Sequence, residues 1–257
     1  MVGSVSRGPA APNRTDPTAR SHTACQQQTL SVYLARVDIR LGGVFDVAGQ
    51  VQQQDEGAVR VLSMAGGASG ALTAALRGDL ILAIQEANNA GGVQAIVLTG
   101  TQGSFSAGIN VMDYDTPMPD ASSIGTLTRV IESSAKPVIA AIDGAALGAG
   151  LAIALAAQVR IARRAARLAA PDLKLGLVPS GGVTQRLPRL IGAAAALDLM
   201  LSGRPVLAGD PLLEPVLDAV VDGDPVPVAI ALAGRLAQSG VWTRSGQRRD
   251  GLVDPAA

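Results

Sequence analysis

Side chains able to do covalent or acid–base chemistry at neutral pH are scarce in this chain. One cysteine, Cys25, and one histidine, His22, stand among 257 residues. A disulfide within the chain is therefore impossible, and so is a Cys/His metal cage. A Ser-His-Asp triad would have to recruit His22 from a Pro- and Ser-rich stretch with no regular pattern. The backbone offers more. The run Gly144-Ala145-Ala146-Leu147-Gly148-Ala149-Gly150 follows an apolar β-branched segment and opens an apolar helical one. First-turn N–H groups of a helix lack intrahelical partners, and the helix dipole adds partial positive charge there. Small residues let a ligand oxygen reach them, which suits a phosphate or the oxyanion of a thioester carbonyl. The same residues also suit close packing of a helix on a sheet, and by themselves they leave both readings open. A second small-residue turn, Phe105-Ser106-Ala107-Gly108, follows another apolar run. Two backbone donors at two strand ends would form an oxyanion hole with no catalytic side chain.

The glycine spacing would also serve a dinucleotide-binding turn. Short-chain dehydrogenase chemistry then needs a Tyr-x-x-x-Lys pair, but four residues after Tyr33 and Tyr114 stand Val37 and Met118. The turn also lies in mid-chain, so this reading is set aside.

The elements that must hold these turns can be read from periodicity. Residues 59–62 and 95–98 read as strands, and Leu72, Leu76, Leu80 and Ile84 recur at helical spacing until Gly91-Gly92. A helix is expected near 122–134, and Pro137–Ile142 as a third buried strand. Residues 147–157 are apolar on every side, which predicts a helix enclosed within the domain. Strand and helix alternating at this spacing specify an α/β domain with mostly parallel strands. Residues 1–57 read as a disordered tail and N-terminal extension, 58–238 as the domain, and 239–257 as a C-terminal tail or severed linker.

The composition is 48% hydrophobic and 16% charged with zero formal net charge. That supports a full core and gives no basic patch for nucleic acid. No apolar run is long enough to span a membrane. The first residues lack the apolar core of a secretory signal, so the cytoplasm is the expected location.

Several longer runs resemble a known family. KPVIAAIDGAALGAGLAIALAAQVRIA (136–162) and ARLAAPDLKLGLVPSGGVTQRLPRLIG (166–192) are similar to the central signatures of the enoyl-CoA hydratase/isomerase (crotonase) superfamily. AIVLTGTQGSFSAGINV (95–111) resembles its first oxyanion loop, and the match continues through AALDLMLSGRP (195–205) and LDAVVDGDPV (217–226). The closing segments look most like the hydratase/isomerase portion of multifunctional 3-hydroxyacyl-CoA dehydrogenases. The C-terminal helices that single-function members use in trimer packing are expected to be missing or reduced.

The resemblance implies an α/β crotonase-type spiral of ββα units acting on fatty-acyl-CoA thioesters. Coenzyme A would enter as part of the substrate, with no separate cofactor and no metal, and a homo-trimer is a possible assembly. By position, the oxyanion donors fall on the N–H groups of Ala107 and Ala149. Ala68, Ser69, Ala71, Ser106, Gly108 and Gly148 would form the thioester environment. Of the two glutamates used by hydratases, the first position is Ala152, which has no proton to give. The second is Asp172, which can do acid–base chemistry with its carboxylate set back by roughly 1.5 Å. Hydration needs a water between two carboxylates and is the more damaged reaction, whereas double-bond isomerisation can run on Asp172 alone. The alternative role for Asp172 is a turn-capping acid, and for the whole protein a silent acyl-CoA-binding or assembly subunit, or a truncated part of a β-oxidation enzyme. On this reading Ala152→Glu would restore hydration. The usual Asn-Pro-Pro segment is replaced by residues 65–72, and the usual Asp of the first loop by Asn110.

Overall fold

The computed structural model describes residues 49–67, 70–110, 113 and 120–248. Its main sheet has six strands in the order β1-β2-β4-β6-β8-β11. These are β1 (Gln50–Glu56), β2 (Val59–Ala65), β4 (Ala95–Gly100), β6 (Val138–Ile142), β8 (Val159–Arg163) and β11 (Ala219–Val221). Only β1 is antiparallel to its neighbour. Short strands form a second layer: β3 (Ala71–Leu72) pairs with β5 (Gly108–Ile109), while β7 (Ala145–Leu147), β9 (Arg167–Ala169) and β10 (Val206–Leu207) form a three-stranded sheet. Six α-helices lie among the described residues: α1 (Ala74–Asn89), α2 (Ile124–Glu132), α3 (Ala149–Ala156), α4 (Val183–Ile191), α5 (Ala193–Ser202) and α6 (Pro225–Ser239). The chain runs β2-β3-α1, β4-β5-α2, β6-β7-α3, so each turn adds one strand to each layer and then a helix. This is the spiral of ββα units.

The period-two side-chain rule explains why the sheet is covered on both faces. Val59, Val61, Ala95, Val97, Ile139, Ala141 and Ile161 point to one face and pack with Ala229 and Ala233 of α6. Leu62, Met64, Ile96, Leu98, Val138, Ala140 and Ile142 point to the other, toward α1–α3. All eight residues of α3 are buried, as the all-round apolar sequence requires. Its many alanines allow close approach without large side chains.

The sheet begins before Ala58, within the expected N-terminal extension. The run QVQQQDE has no apolar alternation, yet it pairs with β2 from Gln50↔Ala65 to Glu56↔Val59. As an edge strand it tolerates polar side chains on both faces, and Gly57 at φ 63 supplies the hairpin turn. The rest of the expected tail, residues 1–48, lies outside the described residues. At the other end, residues 245–247 form a 3-10 turn that folds back on the domain, with Ser245 buried.

Candidate functional site

The two small-residue turns are sewn together by the backbone. The N–H of Ser106 donates to the Ala145 carbonyl at 2.8 Å, and Leu147 N–H donates to the Ser106 carbonyl at 3.0 Å. Close approach demands glycine at Gly150, where a Cβ would lie 2.6 Å from the Ser106 oxygen. The chain then turns at Gly148, with φ 51 and ψ −112, a region nearly closed to other residues, and α3 starts at Ala149. Gly148 N–H is tied to the Ala169 carbonyl at 2.9 Å. Ala149 N–H has no acceptor among the described residues. Gly108 leaves the approach to it open, since a Cβ there would sit 3.6 Å from the Ala149 nitrogen.

Asp172 stands across this turn. It begins a short 3-10 segment, Asp172–Leu175, and its two carboxylate oxygens lie 3.7 and 3.8 Å from where a Gly148 Cβ would be. Its Oδ2 is buried with no hydrogen-bond partner among the described residues. Burial pushes its pKa above the usual carboxylate value, and its own backbone N–H offsets this only in part. Its backbone carbonyl accepts from Leu177 N–H at 2.9 Å. The backbone, and not the carboxylate, therefore closes this turn. A buried carboxylate oxygen left without a partner is a costly arrangement for a purely structural role.

Ala152 sits one turn into α3 and is fully buried. Gly181 abuts it: a Cβ on Gly181 would be 2.8 Å from Ala152 Cβ and 3.1 Å from Ile124 Cγ1. Ala152 is thus packed against Gly181 within an apolar surround.

The first turn differs from the expected arrangement in a specific way. Ala107 N–H donates to the Gly70 carbonyl at 2.9 Å, and the Ser106 hydroxyl donates to the same oxygen at 3.1 Å while accepting from Gly108 N–H at 3.1 Å. The Gly70 carbonyl stands where an acceptor for Ala107 is wanted. Ala71 pairs with Gly108 through β3 and β5. Ala68 and Ser69 lie outside the described residues. The structure therefore brings Ala107, Ala149, Asp172, Gly148, Gly108, Ser106 and Ala71 into one region and places Ala152 behind it.

Two contributors escaped the sequence reading. Arg77 is wholly buried in α1; its Nε donates to the Ser122 carbonyl at 2.8 Å and its Nη1 reaches Asp113 at 3.0 Å and the Leu72 carbonyl. It joins β3 to both sides of the segment after β5. The available signal was its position four residues before Ile81 on an apolar helix face. Ser104 Oγ, buried and unpartnered, lies next to Gly70, and nothing in its spacing marked it.

The spiral fold and the paired strand-end turns define the class, and comparison with known proteins agrees. The family model for enoyl-CoA hydratase/isomerase matches residues 55–241; the chain belongs to that family. It is 40% identical over 174 residues to the peroxisomal bifunctional enzyme of Homo sapiens, covering 68% of this chain and 24% of that protein. It is 36% identical over 194 residues to a probable enoyl-CoA hydratase of Bacillus subtilis (strain 168), covering 72% of this chain and 75% of the relative. The crystal structure of an enoyl-CoA hydratase from Polaromonas sp. JS666 superposes with a TM-score of 0.68 at 29% identity, covering 73% of this chain and 77% of that one. The chain spans about a quarter of the length of the bifunctional enzymes it matches. No helix among the described residues is long and apolar enough to cross a membrane.

Proposed function

We propose that this protein moves a proton on acyl-CoA thioesters with a single carboxylate, as an enoyl-CoA isomerase in preference to a hydratase. The observation that carries the reading is Asp172, whose carboxylate, with Oδ2 unpartnered among the described residues, lies against Gly148 at the start of α3. In this mechanism the thioester oxygen of a 3-enoyl-CoA accepts from Ala149 N–H. Asp172 takes a proton from C2, and the electron pair moves onto the thioester oxygen as a dienolate. That negative charge is stabilised by Ala149 N–H and the α3 dipole. Ala107 N–H joins when the thioester oxygen displaces the Gly70 carbonyl. Asp172 then returns the same proton to C4, giving the conjugated 2-enoyl thioester and regenerating its carboxylate. The raised pKa suits a group that must both take and give a proton. Hydration needs a second group to orient water, and Ala152 provides none.

The second reading is a silent acyl-CoA-binding subunit. Ala152 and the occupied Ala107 N–H favour it. Paired assays on a 3-enoyl-CoA and on crotonyl-CoA, with calorimetric titration of a medium-chain acyl-CoA, separate the readings. Isomerisation exceeding hydration supports the first, binding without turnover the second, and no binding at millimolar ligand removes both. A cytoplasmic location remains part of the proposal and is tested by fractionation; relatives named as peroxisomal and glyoxysomal stand against it.

A further inference from the structure

One carboxylate that the proposed mechanism does not use is shared between α4 and the C-terminal 3-10 turn. Glu132, at the end of α2, places Oε2 2.6 Å from Arg186 Nη2. Its other oxygen faces Gly246, so closely that a Cβ there would lie 2.1 Å from Oε1. Arg186 in turn donates from Nη1 to the Gly181 carbonyl at 2.8 Å. Gly181 is the residue packed on Ala152, and no side chain fits there. The third Arg186 nitrogen, Nε, is buried without a partner among the described residues. The Glu132 backbone is pinned, since Gln158 Nε2 donates to its carbonyl at 3.3 Å. Freedom at this junction therefore resides in the two side chains.

We infer that residues 242–248 are a latch that sets the position of the Ser180–Gly182 loop through the Glu132–Arg186 pair. With the segment docked, Glu132 gives one oxygen to each side and Arg186 leaves Nε unsatisfied. With the segment released, Oε1 is free to turn to Nε. A side-on carboxylate–guanidinium pair is the better-satisfied arrangement for a buried arginine. Seating the guanidinium edge on both carboxylate oxygens shifts the whole group, and with it the Nη1 that holds the Gly181 carbonyl, which loosens the packing against Ala152. The orphaned Nε is what makes two arrangements available. Outside this junction the segment is held by Arg248, whose Nη1 reaches Asp218 at 3.0 Å. Trp242 lies along Gln158, Val159 and Leu236 in a groove of about 410 Å³. An effect of the latch on acyl-CoA affinity rests on the proposed function; the mechanical coupling does not.

The chain has a single tryptophan, so its fluorescence reports docking. Gly246→Ala and Arg248→Ala are compared with the wild type by Trp242 emission and by hydrogen exchange of the full chain, with no ligand. Both variants should red-shift Trp242 and speed exchange of the 181–187 amides by about fivefold or more, with α1 and the central strands unchanged. A red shift without faster exchange at 181–187 overturns the coupling. No change in either signal overturns the docking contact. If Gly246→Ala also speeds α1 exchange, its fold is damaged and Arg248→Ala, which loses a peripheral ion pair, decides by the same two criteria. Because no thioester is added, failure to bind acyl-CoA leaves this result intact.

Discussion

Asp172 and Ala152, the two positions that family resemblance assigns to acid–base groups, lie in contrasting surroundings near the Gly148–Ala149 turn. On one side Asp172 keeps a carboxylate, with one oxygen buried and unsatisfied. On the other, Ala152 is fully enclosed and packs against Gly181, which is itself hemmed in by Ile124 and Thr128. Burial therefore has opposite chemical results. Beside Asp172 it raises the proton affinity of a charged group; around Ala152 it encloses an apolar methyl group packed against Gly181. On the proposed mechanism, proton transfer then falls to Asp172 alone, with Ala149 N–H as the backbone donor beside it.

The largest expected effect falls on the charged side. Asp172→Asn removes the proposed base and should lower 3-enoyl-CoA isomerisation by about 10²–10⁴-fold, measured by initial rates. The apolar side responds differently. Sequence reasoning alone expects Ala152→Glu to restore hydration, but the enclosed Cβ reverses that expectation. An unpaired buried carboxylate in a packed wall should cost about 3 kcal/mol, read as a lower midpoint in denaturant, with no gain in crotonyl-CoA hydration. Increased hydration at unchanged stability would show that the wall can open.

A smaller effect probes the donor between the two sides. Gly108 sits at φ 101 and its Cβ position approaches Ala149 N–H. Gly108→Ala should weaken acyl-CoA binding about tenfold, near 1.4 kcal/mol, by calorimetry.

The smallest effect is in pH. The Asp172 pKa is raised on folding, so between its usual and raised values the folded chain holds more protons than the unfolded one. Stability then falls as pH rises through that window. Asp172→Asn should abolish this component and leave the variant about 1 kcal/mol more stable than the wild type above it, measured as thermal midpoints across pH.

Much of this architecture is legible in the residues. Strands β2, β4 and β6 and helices α1 and α3 follow from apolar periodicity, because each is buried where its pattern says. The pairing of the Ser106 and Leu147 turns follows from resemblance to the family. β1 escaped because an edge strand needs no apolar face. Arg77 and the Glu132–Arg186 junction escaped for another reason: charged residues are expected outside, and only tertiary contacts show which are buried. The Gly70 carbonyl at Ala107 was likewise hidden, since a backbone acceptor carries no sequence signal.

The central claim is that Asp172 takes a proton from carbon next to a thioester held at Ala149. Deuterium incorporation at C2 of butyryl-CoA in D₂O, followed by mass spectrometry, tests this without requiring turnover. The account predicts incorporation well above the solvent rate with the wild type and at the solvent rate with Asp172→Asn. Equal incorporation by both proteins, or none by a wild type that binds the thioester, would contradict it.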